Sequence, residues 1–222
     1  TANDVENGLM IFEAYGGSMG AWYNTFDKIT VNMDRNNINT KGIYSTSLSS
    51  PGGIQGTNSN NTFRDITIRD SHIGIYILGV TSATGQPDFG NQLISSSCST
   101  FNSIGDPNIP NDIGGGSGDA YGIYVHGQTN FVLKNNFVSN VSTTGYYATI
   151  SGIYVSTFLE SLDISNNIVN NVTRIHATTP NPAVGITLTS SGNEIKSLYA
   201  YNNSVSNIKT TYADIPSATL RA

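Results

Sequence analysis

Cysteine, charge and helix-forming residues are all scarce in this sequence. Its 222 residues include a single cysteine, Cys98, which excludes an internal disulfide framework and any multi-cysteine metal site. We interpret Cys98 as a small buried core residue. Charged residues make up only 11% of the chain, so the Glu and Lys that long surface helices need are few. Short strands separated by polar turns are therefore favoured over helices.

The sparse charges and short apolar runs also exclude two classes of partner. The formal net charge is −5, and the ten Lys and Arg residues are scattered singly, without a basic stripe that would neutralise a run of phosphates. Apolar runs fall far short of the roughly 20 residues needed to cross a bilayer. We therefore expect no nucleic acid partner and no membrane insertion by this segment.

Self-similarity at a fixed period is the strongest pattern in the chain. A four-residue phrase recurs, in which glycine is followed by an apolar residue, a variable residue and, in most copies, a second apolar residue. It begins at Gly8, Gly42, Gly74, Gly122, Gly152 and Gly185. The intervals are 34, 32, 48, 30 and 33 residues. The long interval contains the Pro- and Gly-rich segment 105–119, which we interpret as a loop insertion that keeps the phase.

A second phrase, in which apolar residues alternate and end in Asn-Asn, follows the first in most units. It reads "FVLKNNFVSNV" from Phe131, "LDISNNIVNNV" from Leu162 and "LYAYNNSVSNI" from Leu198, with looser versions from Ile29 and Ile66. Its period of two is that of a strand, and it argues against the helix pairs of ankyrin and tetratricopeptide arrays. We predict an all-β fold, a right-handed single-stranded parallel β-helix of about six coils of roughly 30–35 residues, extending over residues 1–222.

The paired asparagines have a physical role in such a solenoid. Asn tolerates the left-handed conformation at a turn between strands, and stacked side-chain amides can bond along the axis as a ladder. We predict Asn135, Asn166 and Asn202 as the rungs of this ladder, with Asp70 and Cys98 in the same column.

These phrases resemble a known family. "GIYV" at Gly122 and Gly152, combined with "LDISNNIVNNV" from Leu162, is similar to the right-handed β-helix repeats of the pectate-lyase-like superfamily. The Asn-, Ser- and Thr-rich composition resembles surface proteins of gliding or gut Bacteroidota. The resemblance covers nearly the whole chain and implies a secreted or cell-surface protein. It leaves the function open, because lyases, hydrolases, epimerases, tailspikes and adhesins share this scaffold.

The residues that the enzymes of this superfamily use are mostly missing. Its lyases hold Ca²⁺ with clustered Asp residues and use Arg or Lys as the base, whereas this chain offers one group on a single stretch: Arg64, Asp65, Arg69, Asp70 and His72. We interpret that group as a solvated edge with local ion pairs, with catalysis as the alternative.

The histidines also fail to match the hydrolases of the superfamily. Their Gly-His-Gly is approached only by "VHGQ" at His126, so we interpret His126 and His176 as surface or turn residues. We therefore assign no catalytic residues.

The insertion 105–119 carries three acids among glycines, Asp106, Asp112 and Asp119. Loops that project from a solenoid often form its binding face, and carboxylates are calcium ligands. The spacing is not that of an EF-hand, so we favour a loop without metal and keep Ca²⁺ as the alternative cofactor.

Alternation in the first phrase directs Ile75, Ile123 and Ile153 inward. It therefore directs outward a column of four tyrosines: Tyr44, Tyr76, Tyr124 and Tyr154. We call this column the tyrosine stripe. Such a surface suits sugar rings or another protein, while the alternative is that tyrosine simply favours strands and stacks on its neighbours.

Three functional hypotheses remain open at this point. The first is a non-catalytic stalk or adhesin segment that displays binding surfaces to a surface polysaccharide or another cell-surface protein. The second is a carbohydrate-active lyase or hydrolase with catalytic groups placed across coils or outside this stretch. The third is a viral tailspike or capsular-glycan depolymerase fragment, which predicts a symmetric trimer. Because neither end looks like a cap, we expect the natural chain to continue in both directions and this segment alone to fray.

Overall fold

The structure is a computed structural model, and it describes residues 6–12, 20–47, 56–80, 87–97, 100–175, 181–189 and 195–211. Over these residues the chain forms an all-β, right-handed parallel solenoid of about five turns. Every strand pairing in it is parallel. The predicted fold class is therefore confirmed.

Each coil contributes strands to three faces, which we call A, B and C in chain order. Face A consists of β1 (Asn7–Phe12), β4 (Lys41–Thr46), β7 (Ile73–Leu78), the first part of β12 (Ala120–Lys134), the first part of β14 (Ile150–Ser165) and β16 (Val184–Thr189). Face B consists of β2 (Thr25–Asp27), β5 (Thr62–Arg64), β9 (Gln92–Ile94), the later parts of β12 and β14, and β17 (Ile195–Tyr201). Face C consists of β3 (Thr30–Asn32), β6 (Thr67–Arg69), β10 (Asn102–Ile104), β13 (Asn136–Thr143), β15 (Ile168–Ile175) and β18 (Ser204–Thr211). Two short strands, β8 (Asp88–Phe89) and β11 (Ile113–Gly114), pair with β12 and β13.

Equivalent apolar residues stack along the axis and form one continuous core. Face A contributes a column of isoleucines in which Ile43, Ile75, Ile123 and Ile153 are fully buried and in register. Face B contributes Phe63, Leu93, Leu133 and Ile164, and face C contributes Ile68, Ile104, Val138 and Val169. This is the arrangement that the period-two alternation predicts.

The repeated glycine of the first phrase marks where face A passes closest to face C. At Gly122, an added Cβ would lie 2.2 Å from Cγ1 of Val138 and 2.6 Å from the carbonyl oxygen of Gly152. The same conflict recurs at the five equivalent glycines, each against the face C residue of its own coil. A side chain at this position would therefore require the two faces to move apart.

An asparagine ladder runs along the turn between faces B and C, one residue further along the chain than predicted. Side-chain amides bond from Asn102 to Asn136 at 2.8 Å, from Asn136 to Asn167 at 2.8 Å and from Asn167 to Asn203 at 3.0 Å. Each amide nitrogen also donates to a backbone carbonyl, at Ile94, Leu93, Leu133 and Ile164 respectively. Where an asparagine pair is present, at 135–136, 166–167 and 202–203, the rung is thus its second asparagine, because that side chain points inward.

The predicted rungs Asn135, Asn166 and Asn202 have a different role. They adopt positive φ angles of 56°, 55° and 52°, so they make the left-handed turn that directs the next residue into the core. This corrects their assignment as the hydrogen-bonded rungs, while the left-handed turn itself is as expected.

Asp70 does not belong to this column. Asp65, with φ of 54°, occupies the turn position between faces B and C in its coil, while Asp70 aligns with Asn140 and Asn171 inside face C. The error arose because the sequence from Ile66 forms face C, although it has the same alternation as face B. Cys98, also placed in this column, lies outside the described residues.

Candidate functional site

The tyrosine stripe lies on the outer surface of face A. Tyr44, Tyr76, Tyr124 and Tyr154 are in direct register on four successive coils. All four side chains are half-buried, and each follows a buried isoleucine. The structure therefore brings together the four tyrosines that the sequence singles out.

The rings of the stripe stack on one another. The Tyr76 and Tyr124 centroids are 4.5 Å apart with planes 6° apart, and the Tyr124 and Tyr154 centroids are 5.3 Å apart with planes 1° apart. Tyr44 completes the row, tilted 55° to Tyr76 at 5.6 Å. Because the facing sides of the Tyr76, Tyr124 and Tyr154 rings cover each other, this part of the stripe presents ring edges and hydroxyl groups rather than open aromatic faces.

Neighbouring side chains hold this row in place. Tyr121, which is buried, packs edge-on against Tyr124 and Tyr154 at 5.0 and 5.4 Å. At one end, the ammonium group of Lys41 lies 5.1 Å from the Tyr44 ring centroid, a cation–π contact. These contacts leave the stacked rings little freedom to reorient.

The two central phenol groups of the stripe, Tyr76 and Tyr124, are neutral at physiological pH. Burial, with smaller contributions from Tyr124 and Tyr44, raises the pKa of Tyr76 to about 12. Burial likewise raises the pKa of Tyr124, against opposing hydrogen bonds to Ser156 and Tyr76. The hydroxyls of Tyr76 and Tyr124 therefore keep their protons and can both donate and accept hydrogen bonds.

A histidine and a serine adjoin the stripe. The Nδ1 atom of His126 lies 2.7 Å from Oγ of Ser156 on the next coil, and the His126 ring is stacked at 21° to that of Tyr124. Burial lowers the pKa of His126, so its imidazole is neutral near pH 7. His126 thus extends the stripe as a further polar aromatic ring, while His176 lies outside the described residues.

The predicted charged group on one stretch is divided among separate partners. Arg64 binds Asp27 at 2.9 Å, and Asp65 accepts a hydrogen bond from the amide of Ser96 at 2.9 Å. Arg69 donates to the carbonyl of Ser103 at 3.0 Å, while Asp70 pairs with Arg35 at 3.4 Å. Arg69 also lies 3.9 Å from Asp106, and Arg35 lies 3.9 Å from Asp112, so Arg69 and Asp70 join one cluster with the insertion. Arg64 and Asp65 have other partners, so the whole group does not converge on a common point.

His72, the last member of that group, is buried beneath the glycine-rich end of the insertion. It is 1% exposed, and neither ring nitrogen has a hydrogen-bond partner. A Cβ at Gly118 would lie 2.8 Å from Nε2 of His72, so only glycine allows the loop this close. Burial lowers the pKa of His72, although the nearby backbone of Asp119 and Gly114 opposes this.

The three acids of the insertion do not form a common calcium site. Asp112 is 1% exposed and accepts hydrogen bonds from the amides of Asp106 at 2.8 Å and Asp70 at 3.2 Å. Asp119 instead accepts from the amide of Thr149 at 2.7 Å. No group of three or more His, Cys, Asp or Glu residues that could hold a metal ion occurs among the described residues.

Two polar features were not predicted from the sequence. Asp88 is fully buried and accepts hydrogen bonds from Ser47 at 2.6 Å and the amide of Asn58 at 3.0 Å. Arg174 is also fully buried, on face C. The alternation from Val172 does place Arg174 inward, but a lone arginine there looks like an interruption of the pattern. Asp88 follows a segment without periodicity, so no pattern indicates its burial.

The described residues contain no helix long and apolar enough to cross a membrane. In comparisons with known proteins, no protein-family model matches the chain, and no curated protein and no solved structure matches it either.

Proposed function

We propose that this chain is a non-catalytic segment of an extracellular stalk or adhesin, and that the tyrosine stripe binds a polysaccharide chain laid along the solenoid axis. The observation that carries the proposal is the row of phenol groups, one per coil, on a rigid face. Successive coils add about 4.8 Å, so the hydroxyl row offers a regularly repeated set of donors and acceptors. A polymer of sugar rings is the kind of ligand that presents a matching series of hydroxyl groups.

The use of the charged residues supports a non-catalytic role. Arg64 pairs with Asp27 at 2.9 Å, and Lys134 pairs with Asp163 at 2.6 Å, each on a neighbouring coil. Asp112 accepts a hydrogen bond from the amide of Asp70 at 3.2 Å. Carboxylates used in this way stabilise the scaffold and are poorly placed to act on a substrate. The resemblance to pectate-lyase-like repeats and to Bacteroidota surface proteins supports a secreted or cell-surface position in the same proposal.

The stacking of the rings determines which atoms of the stripe can contact a ligand. Since the ring faces are covered, binding depends on the hydroxyl groups and not on stacking of sugars onto open rings. Replacing Tyr76 and Tyr124 together by Phe keeps the stack and removes two hydroxyls. We expect this variant to lose about 5- to 150-fold in affinity, because each of the two lost hydrogen bonds contributes about 0.5–1.5 kcal/mol.

The test is a glycan-array screen of the full protein that contains this chain, followed by calorimetry on each hit and mass spectrometry of the glycan after incubation. Tyr199→Phe is the matched control, since Tyr199 is 56% exposed and lies off the stripe. Binding that the double variant retains in full would contradict the hydroxyl-edge mechanism. Cleaved glycan in the incubation would instead support the alternative, a carbohydrate-active enzyme.

A further inference from the structure

The turn between β13 and β14 exposes an aromatic pair that is separate from the tyrosine stripe. Tyr147 is 79% exposed and Tyr146 is 44% exposed, the former being the most exposed large hydrophobic residue among those described. Their ring centroids are 4.3 Å apart with planes 80° apart, an edge-to-face contact. Tyr147 therefore offers the open aromatic surface that the stacked stripe lacks.

A buried arginine fixes this turn from below. Arg174 on β15 is fully buried, and its guanidinium donates to the carbonyl oxygens of Gly145 at 2.9 Å, Tyr146 at 2.7 Å and Ala148. Removing a guanidinium from water is costly unless several acceptors compensate it. Here the acceptors are successive backbone carbonyls of the turn, so the arginine determines the path of the backbone that carries both tyrosines.

The insertion loop fixes the same turn from the side. The amide of Thr144 donates to the carbonyl of Gly116 at 2.8 Å, and the hydroxyl of Thr143 donates to that of Gly118 at 2.8 Å. A Cβ at Gly145 would lie 1.9 Å from the carbonyl oxygen of Ser117, so the two loops pack backbone to backbone. The turn is thus clamped between the coil before it and the coil after it.

We propose that Tyr147 is a second binding site, which takes the apolar C–H face of one neutral pyranose ring. A single exposed aromatic residue is ordinary on a protein surface, but a pre-organised one loses little conformational freedom on binding. Tyr146 supports the Tyr147 ring, and Arg174 is a positioning residue that acts through the turn. Thr149, two residues after Tyr147, is held by the hydrogen bond from its amide to Asp119. This site goes beyond the tyrosine stripe and does not depend on it.

The experiment uses the full protein that contains this chain, with ¹³C-labelled tyrosine rings, titrated with the methyl pyranosides of glucose, galactose, mannose and N-acetylglucosamine. At least one sugar is expected to shift the Tyr147 ring signals and to receive saturation transfer from them. Tyr147→Ala should weaken that binding by about tenfold or more, while Tyr147→Phe should retain it, because stacking needs the ring and not the hydroxyl. Tyr23→Ala is the matched control, since Tyr23 is 74% exposed elsewhere on the surface.

Arg174→Met and Arg174→Lys test the positioning role. Arg174→Met should weaken sugar binding and increase the mobility of the Tyr147 ring in relaxation measurements. Arg174→Lys should show smaller changes in both the affinity and the ring mobility. If Arg174→Met does not fold, the Tyr147 variants still decide the proposal. It is overturned if no sugar shifts the Tyr147 signals, if Tyr147→Ala binds normally, or if tetramethylammonium binds and the sugars do not.

The stripe and the turn are distinguishable in the same titration. The Tyr76→Phe, Tyr124→Phe double variant should leave the Tyr147 response unchanged, and Tyr147→Ala should leave polysaccharide binding to the stripe unchanged. Loss of one response without the other identifies which of the two sites has failed.

Discussion

A single buried histidine determines how the solenoid should respond to mild acid. His72 lies under the insertion loop without a hydrogen-bond partner for either ring nitrogen, and burial lowers its pKa in the folded state. The unfolded chain therefore takes up a proton first as the pH falls below the ordinary value of about 6.5. Stability is lost progressively from that pH down to the lowered folded pKa.

We predict that His72→Leu reduces this acid sensitivity. The free energy of unfolding of the wild type should fall as the pH is lowered from 7.5 to 5. Each unit by which the folded pKa of His72 lies below its unfolded pKa contributes up to about 1.4 kcal/mol to this loss. In urea denaturation over the same range the variant should lose less than the wild type, and the remaining loss comes from His126. Near pH 7.5 it should be at least as stable as the wild type, because an unsatisfied buried polar group has been removed.

His126→Gln is the control for that experiment. Burial lowers the pKa of His126 as well, so its contribution falls in the same pH window. Asp27 and Asp65 have lowered pKa values, by hydrogen bonds to Arg64 and Ser96 respectively, and their stabilisation is lost only at more acid pH, below about 4. If His72→Leu and the wild type show parallel curves between pH 7.5 and 5, the assignment to His72 is wrong.

At the scale of the strand and turn, the asparagine pairs divide two tasks between neighbouring positions. The first residue of a pair, as at Asn135, turns the chain through positive φ, and the second, as at Asn136, bonds to the coils on either side. In the first two coils Ile29 and Ile66 occupy the second position instead. The ladder is therefore a feature of the last four coils only, within the part of the chain that the structure describes.

This division predicts that substitutions at adjacent asparagines change the unfolding free energy by very different amounts. Asn136→Ala should reduce the unfolding free energy by about 2–4 kcal/mol, because it leaves a cavity and removes the partners of Asn102 and Asn167 in the core. Asn135→Gly should change it by no more than about 0.5 kcal/mol, because glycine adopts the same backbone conformation without strain. Urea denaturation of the two variants measures both values, and equal losses would contradict the division.

The sequence predicts face A better than faces B and C for a physical reason. On face A, a glycine that must be small, a buried isoleucine and an outward tyrosine repeat together, as at Gly122, Ile123 and Tyr124, so the register is unambiguous. Faces B and C both consist of short alternating strands, and a pattern of two or three residues cannot distinguish them. That is why the stretch from Ile66 was assigned to the wrong face and Asp70 to the wrong column.

The candidate site was predictable in position but not in geometry. Alternation places the four tyrosines outward in one column, but whether their faces stack or stay open depends on side-chain torsions set by neighbours such as Tyr121. Arg174 and Tyr147 belong to different coils, and their coupling through three backbone carbonyls has no local signature in the sequence. Contacts of this kind depend on how the coils stack.

On the scale of the whole molecule, stability in a solenoid is close to a sum of coil interiors and interfaces between neighbours. In the middle coils the core residues are fully buried on all three faces, for example Ile123, Leu133 and Val138. In the last coil of the described residues, the core-facing Leu198 and Val205 are 45% and 46% exposed. In the 222-residue segment taken alone, the interfaces are therefore unequal along the axis.

This inequality predicts a gradient of amide hydrogen exchange along face C. Strands β15 and β18 pair with each other over seven residue positions, from Ile168 with Ser204 to Ile175 with Thr211, so both have ladder hydrogen bonds. They differ in coverage, because Val169 on β15 is fully buried and Val205 on β18 is not. If local opening follows apolar burial, amides of β18 should exchange about 30- to 1,000-fold faster than those of β13 and β15, equivalent to an interface difference of about 2–4 kcal/mol.

Mass spectrometry of peptides covering 136–143, 168–175 and 204–211 measures this directly. Uniform protection across the three peptides would mean that the solenoid opens as one cooperative unit, and the sum of neighbour interfaces would then be the wrong description of its stability.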